Sequence, residues 1–270
     1  MTALSLAVTD SATMLRRQLR HLLRYPSLTV QLLAMPVIFL LLFVYVFGGT
    51  LGAGLGGAAG AGGGGGGGRD EYLAYVTPGI LLMTVGLCAT GTAVAVSMDM
   101  TAGIVARFRT MAISRSSVLI GHVLGSMVQM VLAVAVLLAV AVAIGFRPDA
   151  TPLEWLAALG MVLLVSLALT WLSVALGAQA KSVESASNTP MPLTLLPFLG
   201  SGFVPTDSMP DWLRWFAEYQ PFTPVIETLR GLLLGSEIGN SAALAVAWCA
   251  GGTVACFLWA LRLYDRAPAR

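Results

Sequence analysis

Residues 117–145 read SVLIGHVLGSMVQMVLAVAVLLAVAVAIG, without a single Asp, Glu, Lys or Arg. A hydrocarbon layer about 30 Å thick is crossed by about 20 helical residues rising ~1.5 Å each, so this run is long enough to traverse a bilayer with tilt. A helix on the surface of a soluble core would show water one charged or polar face at helical spacing. This stretch has no such face, as a helix surrounded by lipid needs none.

Working outward, five further apolar stretches meet or approach the same length: 27–47, 72–97, 153–177, 186–204 and 241–261. Whole-chain composition agrees. Of 270 residues, 57% are hydrophobic and only 10% charged, with a mean hydropathy of +0.84, whereas soluble domains carry about 25% charged residues. The expectation is an all-α, polytopic membrane protein: one domain over 1–270 with six transmembrane helices.

The basic residues set an orientation, because Lys and Arg accumulate in short cytoplasmic loops. With the N-terminus inside, the inner segments hold Arg16, Arg17, Arg20, Arg24, Arg107, Arg109, Arg115, Lys181, Arg262, Arg266 and Arg270, and the outer ones only Arg69, Arg147, Arg214 and Arg230. Both termini are therefore expected in the cytoplasm of a multi-pass cell-membrane protein. Ahead of the first stretch, Arg16, Arg20 and Arg24 fall on one side of a helical projection and Leu15, Leu19 and Leu22 on the other. That pattern predicts an amphipathic helix over 8–25 lying in the interface, with no small-x-small cleavage site after it.

The connecting segments differ in kind. Residues 48–68 are almost all Gly and Ala and end in Gly62–Gly68. A phosphate-cradling loop needs Gly-Lys-Ser/Thr opening a helix, and this run ends in Arg69-Asp70, so a flexible extracytoplasmic linker is expected. The inner loop 98–111 places Phe108 between Arg107 and Arg109; charge alone fits either a positive-inside anchor or a short surface helix offered to a soluble partner. The outer segment 205–235 puts Trp212, Trp215, Phe216 and Tyr219 on one short helix, as suits the headgroup region. Pro221 and Pro224 divide it from a second helix too short to span, so a re-entrant pair is expected, its irregular backbone shielded by protein. Glu227 and Arg230, three apart on that second helix, are the simplest local ion pair.

Several chemistries are excluded. Ion-coupled transporters place ionisable groups inside the bilayer, yet the six stretches hold none beyond Glu154 at the outer edge of the fourth, with His122 near the inner end of the third. His21 and His122 have no partner at metal-ligand spacing, so no metal site is expected. No H-E-x-x-H occurs, and Gly200-Ser201-Gly202 lacks the frame of a nucleophile elbow. Cys88, Cys249 and Cys256 lie in apolar runs and read as packing residues. A net charge of +2 points to no nucleic-acid partner. What remains is a pathway energised by another subunit, or a membrane scaffold.

The most specific stretches are Gly202-Phe203-Val204-Pro205 through Met209-Pro210-Asp211-Trp212-Leu213, Gln220-Pro221-Phe222-Thr223-Pro224 with Glu227 and Arg230, and the inner-loop set Asp99, Gly103, Arg107, Arg109, Ser114 and Arg115. On these the chain resembles the six-span ABC-2 type permeases, and among them the daunorubicin and doxorubicin resistance permeases of actinobacteria. Ala112 and His122 depart from that pattern, which often has proline and arginine there. The resemblance implies a half-transporter that binds no cofactor itself: two permease subunits, most simply a homodimer, each docking a separate ATP-binding subunit that holds ATP and Mg2+. It assigns docking to a coupling loop carrying Asp99, Gly103, Arg107, Phe108 and Arg109. It assigns the outer gate to the re-entrant motif of Pro205, Met209, Pro210, Trp212, Pro221, Pro224, Glu227 and Arg230. The implied activity is export of a small amphipathic, drug-like or lipid-like molecule, with lipid or polysaccharide export as the variant.

Overall fold

The computed structural model describes residues 26–52, 68–101 and 115–266. All of its regular structure is helical. Helix α1, Pro26–Leu42, runs into a π turn at Phe43–Phe47 and stays helical to residue 52. Then come α2 (Arg69–Thr101), α3 (Arg115–Ala143), α4 (Pro152–Gln179), α5 (Val183–Asn188), α6 (Met191–Leu195), α7 (Asp211–Tyr219), α8 (Phe222–Leu234) and α9 (Ser241–Arg266). The predicted interfacial helix 8–25, the linker glycines 62–67 and most of the inner loop lie outside the described residues.

Among the described residues, five helical stretches are long and apolar enough to cross a membrane: Leu33–Gly52, Arg69–Thr101, Ile120–Ala143, Pro152–Gln179 and Ser241–Leu263. They correspond to five of the six stretches expected from the sequence. Their ends follow local rules. Thr151 caps α4 with a capping box: its hydroxyl accepts from Glu154 N (3.4 Å), and Glu154 Oε2 accepts from Thr151 N (2.6 Å) and from its hydroxyl (2.8 Å). Pro152 fills the first turn, where its missing N–H costs nothing. Helix α8 stops at Gly235, whose φ of +70° carries the left-handed cap with N–H to Gly231 O at 2.9 Å.

Helix α2 is the centre of the bundle. About 72% of its most apolar stretch is buried, against 17% for α9, and it packs against α1, α3, α4, α5, α6 and α8. Close packing without water needs small residues at the contacts. Gly177 of α4 meets the Ala93 backbone, and Gly79 and Gly86, two turns apart on α2, meet Gly202 and Leu193. Helix α9 packs on α4 and α8 and leaves Val246, Trp248, Val254 and Leu258 exposed, as expected of a helix facing lipid.

The stretch 186–204 departs from expectation. It is no continuous span but α5, α6, a 3-10 turn at Leu196–Leu199 and a non-helical turn through Val204. The cause is composition: Pro190, Pro192 and Pro197 remove three backbone donors within eight residues, and Gly200 and Gly202 remove side chains that would support a helix. This broken segment lies along α2 in the opposite direction, with Leu193 against Gly86, Gly202 against Gly79 and Phe203 beside Tyr72.

Candidate functional site

Breaking a helix frees backbone polar groups, which at membrane depth must find partners inside the protein. Residues 200–203 find them on α2 and α8. The Tyr75 hydroxyl donates to Ser201 O at 2.9 Å, and the Tyr72 hydroxyl to Phe203 O at 3.4 Å. Arg230 Nη2 donates to the same Ser201 carbonyl at 2.8 Å and to Tyr75 O at 3.2 Å, with its guanidinium carbon 3.9 Å from the Tyr75 ring centroid. Ser201 N donates to the Thr223 hydroxyl at 3.4 Å. Pro78 has no N–H for the Ala74 carbonyl, and the next carbonyl along, that of Tyr75, is the one Arg230 reaches.

Arg230 therefore does not form the expected ion pair with Glu227. Its fork suits two carbonyls and an aromatic face better than one carboxylate, and Glu227 turns to α9, where its Oε2 accepts from the Ser241 hydroxyl at 2.8 Å. Helix α8 is consequently tied inward by Arg230 and sideways by Glu227. Gly79 and Gly202 make this possible. A Cβ on Gly79 would lie 2.5 Å from Gly202 O and 2.8 Å from its Cα, so only glycine allows the two backbones to touch.

An aromatic layer seals the adjoining side. Phe198 and Phe203 stack at 4.2 Å with planes 5° apart, and Phe43, presented by the π turn of α1, sits 4.8 Å from Phe203 and 6.0 Å from Phe198. Beyond it, α7 exposes Trp212, Trp215 and Tyr219 while burying Ala217. Arg214 joins α7 to the turn Thr206–Ser208, reaching Glu218 and Asp207 at 2.8 Å each; the hydrogen bond to Glu218 and the charge of Asp207 hold its pKa above the usual value. Pro205 and Pro210 stand immediately before this turn and before α7, Met209 between them, and Pro221 and Pro224 open α8. All eight predicted outer residues thus fall in one contiguous stretch, and of them it is Arg230 whose side chain hydrogen-bonds to α2.

A cavity of about 520 Å3 lies between α2, α3, α4 and α8, walled by Leu81, Val134, Leu138, Trp155, Val162 and Leu229. Leu156 and Leu159 also line it, and both are exposed on α4. Among the described residues, no His, Cys, Asp and Glu group could hold a metal ion.

At the other end of α2, Asp99 does not point away from the bundle. Its Oδ2 lies 3.0 Å from His122 Nε2 on α3, and both side chains are largely buried. Gly103, Arg107, Phe108 and Arg109 lie outside the described residues. Sequence reasoning missed Tyr72, Tyr75, Ser201, Gly79 and Gly202. The clustered prolines and glycines between 190 and 202 were the available signal; the partners on α2, more than a hundred residues earlier, carry none.

The described residues form a polytopic helical bundle with a proline-broken segment folded against its central helix. The chain matches the family described as ABC-2 type transporter over residues 10–234, and it belongs to that family. It is a multi-pass membrane permease subunit, a class without ATPase activity of its own, whose ATP-binding function resides in a partner subunit. Among known proteins it is 28% identical over 232 residues to the daunorubicin resistance ABC transporter permease protein DrrB1 of Streptomyces coeruleorubidus, covering 85% of this chain and 77% of that one. It is 27% identical over 191 residues to the probable doxorubicin resistance ABC transporter permease protein DrrC of Mycobacterium tuberculosis (strain CDC 1551 / Oshkosh), covering 69% and 68% respectively.

Proposed function

We propose that this chain is the membrane half of an ATP-driven exporter that moves a small amphipathic, drug-like molecule outward. The observation that carries the reading is the similarity to a daunorubicin resistance permease along most of both chains. Two permease subunits pair, most simply as a homodimer, and each receives an ATP-binding subunit that holds ATP and Mg2+. The docking element is the inner loop over 98–111, with Arg107 and Arg109 as its charged contacts.

In this reading the broken segment 186–204 is the fifth of six crossings. It runs opposite to α2 from the Leu193 level to the Phe203 level, so α9 becomes the sixth and both termini lie in the cytoplasm, in keeping with the basic residues. Helices α7 and α8 form the re-entrant outer pair, and the Arg230 knot holds the outer closure. Closure of the nucleotide-bound subunits is felt at the loop, and α2, in contact with the broken segment and α8, carries the displacement outward; such coupling requires contacts that differ between two states. The apolar cavity supports an amphipathic cargo. Its lack of any charged wall residue also favours a second reading, a lipid-like cargo.

Inside-out vesicles containing this chain and its co-expressed ATP-binding subunit test the proposal. ATP-dependent accumulation of daunorubicin is the expected result, and ATP-dependent flipping of a fluorescent phospholipid with no daunorubicin uptake would favour the second reading. Neither signal above vesicles lacking the chain would refute the exporter assignment.

A further inference from the structure

Helices α2 and α3 flank the inner loop, and the described residues next to it are joined by two polar rungs. The deeper one is Thr92 Oγ1 donating to Ser126 Oγ at 2.7 Å. The other is Asp99–His122, two residues before α2 ends at Thr101 and seven after α3 begins at Arg115. An ionised carboxylate only accepts, so the imidazole N–H donates. Side-chain exposure of 10% for His122 and 15% for Asp99 places the pair where a lone charge would be costly to leave unpartnered. The other ring nitrogen of His122 is buried with no partner among the described residues, so the contact with Asp99 orients the ring.

We propose that Asp99 and His122 are a positioning pair that fixes the base of the loop 102–114 and makes the inner ends of α2 and α3 respond as one body to the ATP-binding subunit. This rests on the reading of the loop as the docking element, and it reassigns Asp99 from a surface contact to an internal one. The mechanical reason is that a push delivered to a loop moves a helix only if the loop's two anchors cannot splay. Without the pair, the next hydrogen bond between α2 and α3 side chains among the described residues is Thr92–Ser126, two helical turns deeper on α2, and displacement is spent on separating the helix ends.

The test uses the full chain in lipid nanodiscs, alone and with its ATP-binding subunit. The variants are Asp99→Ala, His122→Ala, the reversed pair Asp99→His/His122→Asp, and the neutral pair Asp99→Asn/His122→Gln, which keeps a hydrogen bond without a charge. In the chain alone, amide exchange over 94–101 and 115–122 is expected to accelerate at least tenfold in the single variants and to return within about threefold of the parent in both paired variants. In the complex, the single variants are expected to co-purify with the ATP-binding subunit but lose about fivefold of the ATP turnover that depends on this chain, and the reversed pair to recover it. Parental exchange rates in the single variants, or paired variants no better than single ones, would overturn the proposal. If exchange responds as expected while no complex forms with the parent chain, the positioning role stands and the transporter reading fails.

Discussion

Replacing Arg230 tests whether the broken segment is held by the contacts that the geometry assigns to it. Arg230→Met keeps the stem and removes the fork. It eliminates the bonds to Ser201 O (2.8 Å) and Tyr75 O (3.2 Å) and the contact over the Tyr75 ring. Hydrogen bonds to a charged group contribute about 1.5–3 kcal/mol each and the ring contact about 1 kcal/mol, offset by the desolvation cost of a buried guanidinium. Ser201 O keeps the Tyr75 hydroxyl, whereas Tyr75 O loses its donor from Arg230, so the net loss is about 2–3 kcal/mol. At about 1.4 kcal/mol per factor of ten, local opening of residues 200–203 becomes roughly 30- to 150-fold more frequent. Ser201→Cys is a suitable reporter, because the Ser201 hydroxyl is buried without a hydrogen-bond partner while the bonds of that residue run through its backbone. Maleimide labelling of the thiol introduced by Ser201→Cys, carried out in nanodiscs and read by peptide mass spectrometry with buried Cys88 as the internal control, should accelerate by that factor in Arg230→Met and by less in Arg230→Lys. A rate within twofold of the parent would show that Arg230 does not hold the segment, as would an equal rise at Cys88, since that reports global unfolding rather than release of the segment.

Gly79→Ala should destabilise by about 3 kcal/mol or more, because the new methyl meets only Gly202 backbone, whereas Gly91→Ala, with open space around it, should be neutral or raise the melting temperature slightly; thermal unfolding in nanodiscs compares them. Arg107→Glu with Arg109→Glu should abolish co-purification of the ATP-binding subunit at an unchanged melting temperature, and normal co-purification would show that the loop arginines are only membrane anchors. Deleting Gly62–Gly68 should leave ATP-dependent transport within about twofold of the parent; a folded but inactive deletion would assign that linker a role.

The long helices were legible in the sequence because a bilayer imposes a length and an absence of charge on each one independently, as at 117–145. The same criterion reads 186–204 as one continuous helix, which the structure breaks into short pieces. Apolar composition is shared by any segment at membrane depth, while helicity depends on donors that Pro190, Pro192 and Pro197 do not supply. At the outer site, Arg230 was identifiable as important, but its partner was not. Sequence spacing favours Glu227 three residues away, and only the fold brings Tyr75 and Ser201 to the guanidinium. Asp99 was likewise visible as a residue beside the loop, and its inward orientation follows from His122, twenty-three residues on and across the loop.

An ABC-2 type permease works by receiving energy from a separate ATP-binding subunit. The most direct measurement is ATP hydrolysis by that subunit, co-expressed and purified with the chain in lipid nanodiscs, against the same subunit alone. The expected result is a stable complex, with a turnover that differs several-fold from the isolated subunit and responds to daunorubicin. A well-folded chain that forms no complex, or a complex whose turnover matches the isolated subunit with and without the drug, would contradict it.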